Sequence, residues 1–217
     1  RQGKILEVKM SKREVVVLSG VRTAIADFGG TLKDQPATEL AAKVVAEAVS
    51  RSGLSPEDIG HCVIGSVLHG DRRDMYISRV AALKAGLPVE TPSLTVNRLC
   101  GSGLQALVSA AQMILLDDCD VAVAGGSESM SRAPYWLPAA RFGANMGDGN
   151  MVDSLTGVLT CPMGDVHMGV TAENVADQFN ISREQQDELA NQSHQRAQRA
   201  IEENRFDGQI LPIEIKT

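Results

Sequence analysis

Short apolar runs alternate with amphipathic stretches along the first part of the chain. Runs of β-branched and small apolar residues predict four strands, at residues 15–18, 62–67, 93–96 and 120–126. The first of these runs is continuously β-branched from Val15 to Val17, which is typical of a strand covered on both faces. A later run, at residues 211–215, could begin a further strand.

Apolar residues at helical spacing predict helices in the segments between these strands. We expect helices at residues 38 to about 50, 74–86 and 102–116, and later at 171–176 and from Ser182 to about Asn204. Gly86 is placed to end the second helix, and Ser182 with Gln185 forms a capping-box pattern. The helix at 102–116 is so apolar that we expect it to be buried.

This order of elements predicts an α/β layer architecture with mostly parallel strands. After Ser129 the chain becomes rich in proline, glycine and methionine and is expected to be irregular. We therefore divide it into an α/β domain at residues 11–128 and a loop domain at 129–217. Residues 1–10 have the character of a tag or an upstream extension and are excluded from the fold prediction.

Composition excludes several classes of function. The chain of 217 residues has a formal net charge of −6, which argues against nucleic acid or an anionic membrane as its main partner. No apolar run approaches the roughly 18 residues of a membrane span. The four cysteines are dispersed, so we expect neither a zinc site nor any other metal site, and a reducing, cytoplasmic location.

One cysteine lies where chemistry is expected. Cys100 follows the third predicted strand and precedes the apolar helix, with Gly101 and Gly103 beside it. Ligands of parallel sheets bind beyond the carboxyl ends of strands, and a helix N-terminus favours a thiolate. These residues alone only slightly favour a nucleophile over a buried, unreactive cysteine.

The surrounding segments resemble the thiolase family, the acetyl-CoA acetyltransferases and 3-ketoacyl-CoA thiolases, and the likeness runs from Glu14 to the end of the chain. The matching segments are Asn97 with Cys100-Gly101-Ser102-Gly103-Leu104, Gly125-Gly126 with Glu128-Ser129-Met130-Ser131, Met146-Gly147-Asp148, His167-Met168-Gly169 and Ser193-His194. This resemblance implies a layered thiolase fold with a mostly parallel mixed sheet between helices and an inserted loop domain. Only the N-terminal portion of that fold is matched.

The resemblance also implies an activity in fatty acid metabolism. Cys100 would take up an acyl group from a 3-ketoacyl-CoA, acetoacetyl-CoA or longer, and pass it to coenzyme A, or run the condensation in reverse. The backbone N–H of the same cysteine would help to form an oxyanion hole. Coenzyme A and acyl-CoA would be substrates with no permanent cofactor, and the full-length protein would be a homodimer or homotetramer.

Three further residues are implied to lie along the pantetheine part of the substrate: Leu159, His167 and Met168. For His167, a histidine in the core and an acid/base partner of Cys100 are the alternatives, in that order. Met168 could instead fill a gap in the core. His194, on a polar helix, is expected to be structural or to face solvent.

In thiolases the base histidine of a Gly-His-Pro motif, a second cysteine and a second α/β domain follow the part matched here, as does the last strand of the first sheet. We therefore expect a truncated or proteolysed chain whose Cys100 accepts an acyl group without full turnover. Two other classes remain open: a ketosynthase-like condensing enzyme, and a non-catalytic thiolase-like protein that binds CoA or lipid.

Overall fold

The structure, a computed structural model, describes residues 13–215, so the predicted extension at residues 1–10 lies outside the described part. The chain forms two compact units. Unit 1 comprises the chain up to Arg132 together with the segment from Leu211 onward, and unit 2 is Ala133–Ile210. Each unit is described by itself.

Unit 1 alternates strands with helices, as the hydrophobic pattern predicts. Its strands and α-helices are β1 (Arg22–Thr23), α1 (Ala37–Ser52), β2 (His61–Gly65), α2 (Ile77–Lys84), β3 (Ser93–Val96), α3 (Ser102–Leu115) and β4 (Ala122–Gly126). Single turns of 3-10 helix lie at Pro56–Asp58, Asp74–Tyr76 and Met130–Arg132.

Three of these strands form a parallel sheet in the order β3-β2-β4. Gly65, the last residue of β2, is level with Val96 on one side and with Gly126 on the other. The three carboxyl ends therefore meet at one edge, directly before the turn that carries Cys100. The predicted α/β class and parallel strands are confirmed.

The sheet has helices on both faces. Because successive side chains of a strand point to opposite faces, Cys62 and Ile64 face a core built with α1 and α2, whereas Val63 faces α3. The α3 side of the core consists of Val63 with Ala106 and Ala110. Small residues thus bring α3 close to the sheet.

The prediction of a buried strand at residues 15–18 is wrong. No strand is formed there, and the side chains are exposed, with Val17 at 88%. A strand covered on both faces needs neighbours to share its hydrogen bonds, and this segment pairs with no strand among the described residues.

The prediction that helix 102–116 is buried is also wrong. The helix forms as α3, but only its face with Ser102, Ala106 and Ala110 is buried. Leu104 is 70% exposed, and other apolar residues of the outer face are exposed with it. Within residues 13–215, the sheet covers one side of α3 and the opposite side remains open.

Unit 2 consists of short elements followed by two longer helices. They are β5 (Tyr135–Trp136), β6 (Val152–Asp153), α4 (Ser154–Val158), β7 (Thr160–Cys161), β8 (Val166–His167), α5 (Met168–Phe179) and α6 (Arg183–Glu202), with a 3-10 turn at Ala140–Phe142. The capping box of α6 is confirmed, since Ser182 N–H donates to Gln185 and Gln185 N–H donates to the Ser182 hydroxyl. The strand β9 (Ile210–Leu211) ends at the boundary of the two units.

Glycines let the sheet edge touch the start of α3. A Cβ atom on Gly65 would lie 2.5 Å from the carbonyl carbon and oxygen of Ser102 and 2.8 Å from the nitrogen of Gly103. A Cβ on Gly126 would lie 3.1 Å from the Cα of Gly103. Backbone therefore packs on backbone here, which requires the missing side chains.

We predict that Gly65→Ala destabilises the chain by about 1–3 kcal/mol, because the added methyl group overlaps backbone atoms that have no rotamer by which to move away. Urea unfolding followed by circular dichroism measures the effect. Gly125→Ala is the matched control, since position 125 lies in the neighbouring strand with nothing within 4 Å of its Cβ position. Equal stability of the two variants would contradict the packing argument.

Candidate active site

The turn that carries Cys100 is a strained connection between β3 and α3. Leu99, the residue before the cysteine, has a φ of +50°, in the left-handed region that non-glycine residues seldom adopt. Gly101 follows as the residue that flanks the helix start. The chain thus reverses within a few residues and leaves Cys100 at its apex.

Hydrogen bonds on both sides hold this turn. Asn97 Oδ1 accepts from the N–H of Leu99 at 3.0 Å. The hydroxyl of Ser102, which is only 4% exposed, accepts from the N–H of Arg98 at 2.8 Å and donates to the carbonyl of Leu99 at 2.6 Å. These three bonds offset the backbone strain at Leu99, which is of the order of 1–3 kcal/mol.

Cys100 is exposed, unlike the buried thiol that the structural alternative requires. It lies just before the start of α3, a helix of 14 residues. The unpaired N–H groups and the dipole of a helix N-terminus stabilise a nearby negative charge. An accessible thiol in this position can attack an electrophilic carbonyl carbon.

The other cysteines are less suited to chemistry. Burial raises the pKa of Cys62 to about 11, against a smaller lowering effect of the Ser78 hydroxyl. Burial also raises the pKa of Cys119, and the carboxylates of Asp118 and Asp120 raise it further. Cys161 is half-buried in β7.

In unit 2, the structure brings Leu159, His167 and Met168 together. The N–H of Met168 donates to the carbonyl of Leu159 at 2.8 Å, and His167 pairs with Thr160 across the two-stranded β7–β8 sheet. His167 caps α5, because its Nδ1 accepts from the N–H of Gly169 at 3.0 Å. A neutral His167 therefore carries its proton on Nε2.

The exposure of these side chains excludes the two alternatives that place His167 and Met168 in a core. His167 and Met168 are exposed, so His167 is not a core histidine and Met168 does not fill a core gap within unit 2. Leu159 is half-buried. The pairing of His167 with Cys100 as acid and base stays a prediction. His194 lies exposed on α6, in agreement with a residue that faces solvent.

Comparison with known proteins identifies the family. The sequence profile of the thiolase N-terminal domain matches residues 15–217. The chain belongs to the thiolase family. The predicted family is confirmed, and the predicted thiolase fold is confirmed by the solved structures below.

Among curated relatives, this thiolase chain is 60% identical over 201 residues to the beta-ketothiolase BktB of Cupriavidus necator. It is 43% identical over 204 residues to an acetyl-CoA acetyltransferase of the same organism. These matches cover 93% and 92% of the chain but 51% of each relative, so the chain spans about half the length of the curated relatives.

Solved structures give the same result. The structure of human mitochondrial 3-ketoacyl-CoA thiolase matches with a TM-score of 0.89 and 41% identity, over 93% of this chain and 51% of that one. The same human enzyme in complex with CoA matches with a TM-score of 0.88 and 41% identity, over 91% of this chain and 50% of that one.

Within residues 13–215 of the thiolase chain, His, Cys, Asp and Glu side chains form no group of three or more that could hold a metal ion. No helix in this part of the chain combines the length and apolarity needed to cross a membrane.

The sequence motif pointed to Cys100 as the candidate nucleophile but not to the groups that hold its turn. Ser102 was part of the matched motif without an assigned role, although a serine two residues after a turn cysteine is able to bond to the turn. The hydrogen bonds that Glu128 accepts from Ser66, Val67 and Leu68 were missed as well, because they join positions 60 or more residues apart.

We predict that iodoacetamide at about pH 8 labels Cys100 at least ~100-fold faster than Cys62 in the folded chain, because only an accessible thiolate reacts. A pKa of about 11 leaves Cys62 almost entirely protonated under these conditions. Peptide mass mapping of timed samples measures both rates.

Labelling in urea is the control, since all four cysteines should then react at similar rates. Labelling of Cys62 in the folded chain as fast as that of Cys100 would show that the assignment of buried and exposed thiols is wrong.

Proposed function

We propose that the protein to which this chain belongs is a thiolase-type acyltransferase that uses Cys100 as its nucleophile. The single observation that carries the proposal is the exposed Cys100 on a strained, hydrogen-bonded turn immediately before α3. Family membership supports CoA thioesters as the substrate class. The three named relatives, a beta-ketothiolase, an acetyl-CoA acetyltransferase and a 3-ketoacyl-CoA thiolase, support this choice.

The proposed reaction has two acyl-transfer steps. The Cys100 thiolate attacks the 3-keto carbon of a 3-ketoacyl-CoA, and the electron pair of that carbonyl moves onto oxygen. Collapse of this oxyanion breaks the carbon–carbon bond, and the leaving enolate takes a proton to become acetyl-CoA. The thiolate of free CoA then attacks the acyl-cysteine and releases the shortened acyl-CoA and the Cys100 thiolate.

A cysteine suits this exchange because one thioester is replaced by another of similar energy, which keeps both directions accessible. The negative charge that develops on the carbonyl oxygen needs N–H donors. The start of α3 brings the positive end of the helix dipole beside Cys100. We assign the N–H of Cys100 to this oxyanion hole.

Unit 2 would supply contacts to the pantetheine arm. The exposed Met168 and the half-buried Leu159 offer apolar surface, and the Nε2–H of His167 is available as a donor because Nδ1 already accepts from Gly169. A chain of amides and methylene groups needs this combination of apolar surface and a few oriented polar groups.

For the full-length protein we also propose a cytoplasmic homodimer or homotetramer that acts in fatty acid metabolism. The unpaired state of the four cysteines favours a reducing compartment. In the described sheet β3 is an edge strand, and such an edge is a surface that proteins commonly cover.

We predict that acetyl-CoA acetylates this chain on Cys100 and on no other cysteine, and that the chain alone completes no thiolysis cycle, since the family's base histidine and second cysteine lie outside the matched part. Peptide mass mapping after incubation with acetyl-CoA measures the first result. Release of acetyl-CoA from acetoacetyl-CoA and CoA, on a sample of verified mass, measures the second.

Cys161→Ala should leave the acetylation unchanged and serves as the control. Acetylation spread over several cysteines would contradict the role of Cys100, and its absence would favour a CoA-binding protein. Acylation from a carrier-protein thioester but not from acetyl-CoA would favour the ketosynthase-like alternative. Full turnover by the chain would contradict the expected dependence on further residues.

We predict that His167→Ala raises the acetyl-CoA concentration for half-maximal Cys100 acetylation about fivefold, the effect of one lost hydrogen bond of about 1 kcal/mol. His194→Ala is the matched control, because His194 is an exposed histidine of the same unit. If the two variants behave alike, His167 does not contact the substrate.

A further inference from the structure

Glu128 follows β4 and reaches back to the segment after β2. Its Oε2 accepts from the N–H of Val67 at 2.8 Å, and its Oε1 accepts from the N–H of Leu68 at 3.1 Å. The hydroxyl of Ser66, a residue that is buried, lies 3.5 Å from Oε1. One carboxylate thus accepts hydrogen bonds from three consecutive residues.

Backbone N–H groups, rather than a salt bridge, offset the burial of this carboxylate in the described part of the chain, and the exposed His69 is the smallest influence on its pKa. Burial raises the pKa of Glu128, while the hydrogen bonds from Val67 and Leu68 lower it. A desolvated carboxylate that forms no salt bridge is a poor source of stability, which points to a role in positioning the groups that it binds.

The segment that Glu128 holds is tied to the turn of Cys100 by two routes. The first is a hydrogen bond, in which the N–H of Ser66 donates to the carbonyl of Val96 at 3.1 Å, and Val96 is the last residue before the turn. The second is direct packing, because Gly65 lies against the backbone of Ser102. Ser102 in turn bonds to both Arg98 and Leu99.

A backbone hydrogen bond also joins the chain after β4 to the end of β2. The N–H of Ser127 donates to the carbonyl of Gly65 at 3.1 Å, next to Glu128 in the chain. The ends of β2 and β4 are therefore joined by both backbone and side chain. Loss of the carboxylate would leave two N–H donors unpaired in a partly buried place, and the segment 66–68 would shift to satisfy them.

We propose that Glu128 is a positioning residue for Cys100: its carboxylate fixes the segment 66–68 at the end of β2 and, through Val96 and Gly65, the geometry of the cysteine turn. Its effect on acyl transfer rests on the proposed function. Its effect on the turn does not.

The test compares Glu128→Gln and Glu128→Ala with the parent chain by hydrogen–deuterium exchange of residues 97–103. Glutamine keeps the shape and one acceptor oxygen, but its NH₂ group faces the second N–H donor, whereas alanine loses both acceptors. We expect exchange in this segment to rise about tenfold in Glu128→Ala, equivalent to about 1.4 kcal/mol, and by an intermediate factor in Glu128→Gln. Exchange in α1 should not change.

The matched control is Glu90→Gln, since Glu90 is an exposed glutamate of the same unit. Unchanged exchange at residues 97–103, or an equal rise in α1, would overturn the proposal, because the latter indicates general destabilisation. Glu128→Gln is nearly isosteric, so it provides the test if the alanine variant does not fold.

A second readout connects the turn to chemistry. We expect Cys100 acetylation by acetyl-CoA to slow about tenfold in Glu128→Ala, while alkylation by iodoacetamide stays within about twofold, because a small reagent needs access to the thiol but no oriented acyl group. Acetylation at the parent rate would overturn the proposal. If the parent chain itself is not acetylated, the proposed function fails, and the exchange measurement alone decides the role of Glu128.

Discussion

The position of Cys100 depends on a close backbone contact between the end of β2 and the start of α3. Gly65 touches the backbone of Ser102 and Gly103, and Gly126 approaches Gly103 from the next strand. Larger residues at positions 65 and 126 would hold the helix further from the sheet. The connection from β3 would then need a longer and looser loop. The contact therefore determines how sharply the chain must turn between Val96 and Ser102.

A sharp turn needs bonds that compensate its strain. Leu99 adopts a positive φ, and the side chains of Asn97 and Ser102 accept or donate the hydrogen bonds that keep it there. These hydrogen bonds involve the backbone of the flanking residues and leave the Cys100 side chain exposed. Hydrogen bonds thus hold the turn while its thiol stays accessible, a combination that a nucleophile would require.

Local pattern was sufficient for the strands and helices whose partners lie nearby in the chain. β3 spans the predicted residues 93–96, and α1 and α6 agree with prediction within a few residues. Pattern failed at residues 15–18 and on α3, because an apolar run shows that burial is favourable but does not say which surface provides it. For Cys100 the motif was sufficient to place the residue on an exposed turn before α3, since adjacent residues encode that turn, while its role as nucleophile stays a prediction.

The groups that support the site could not be predicted in the same way. The contact of Glu128 with Val67 joins residues 61 positions apart and becomes visible only when the parallel register aligns the ends of β2 and β4. Similarly, Leu159 and Met168 meet because the β7–β8 pairing brings them together. Such contacts follow from the tertiary structure and leave no local pattern in a single sequence.

The exposed face of α3 connects the stability of the chain with the geometry of its site. α3 carries Cys100 before its first turn and presents apolar side chains such as Leu104 to solvent on its outer side. Extended apolar surface of this kind is typical of an interface. Covering this outer face would hold α3 in place, and the start of the helix already lies against Gly65 and Gly126. The same burial would then stabilise the fold and restrict the turn that holds the thiol.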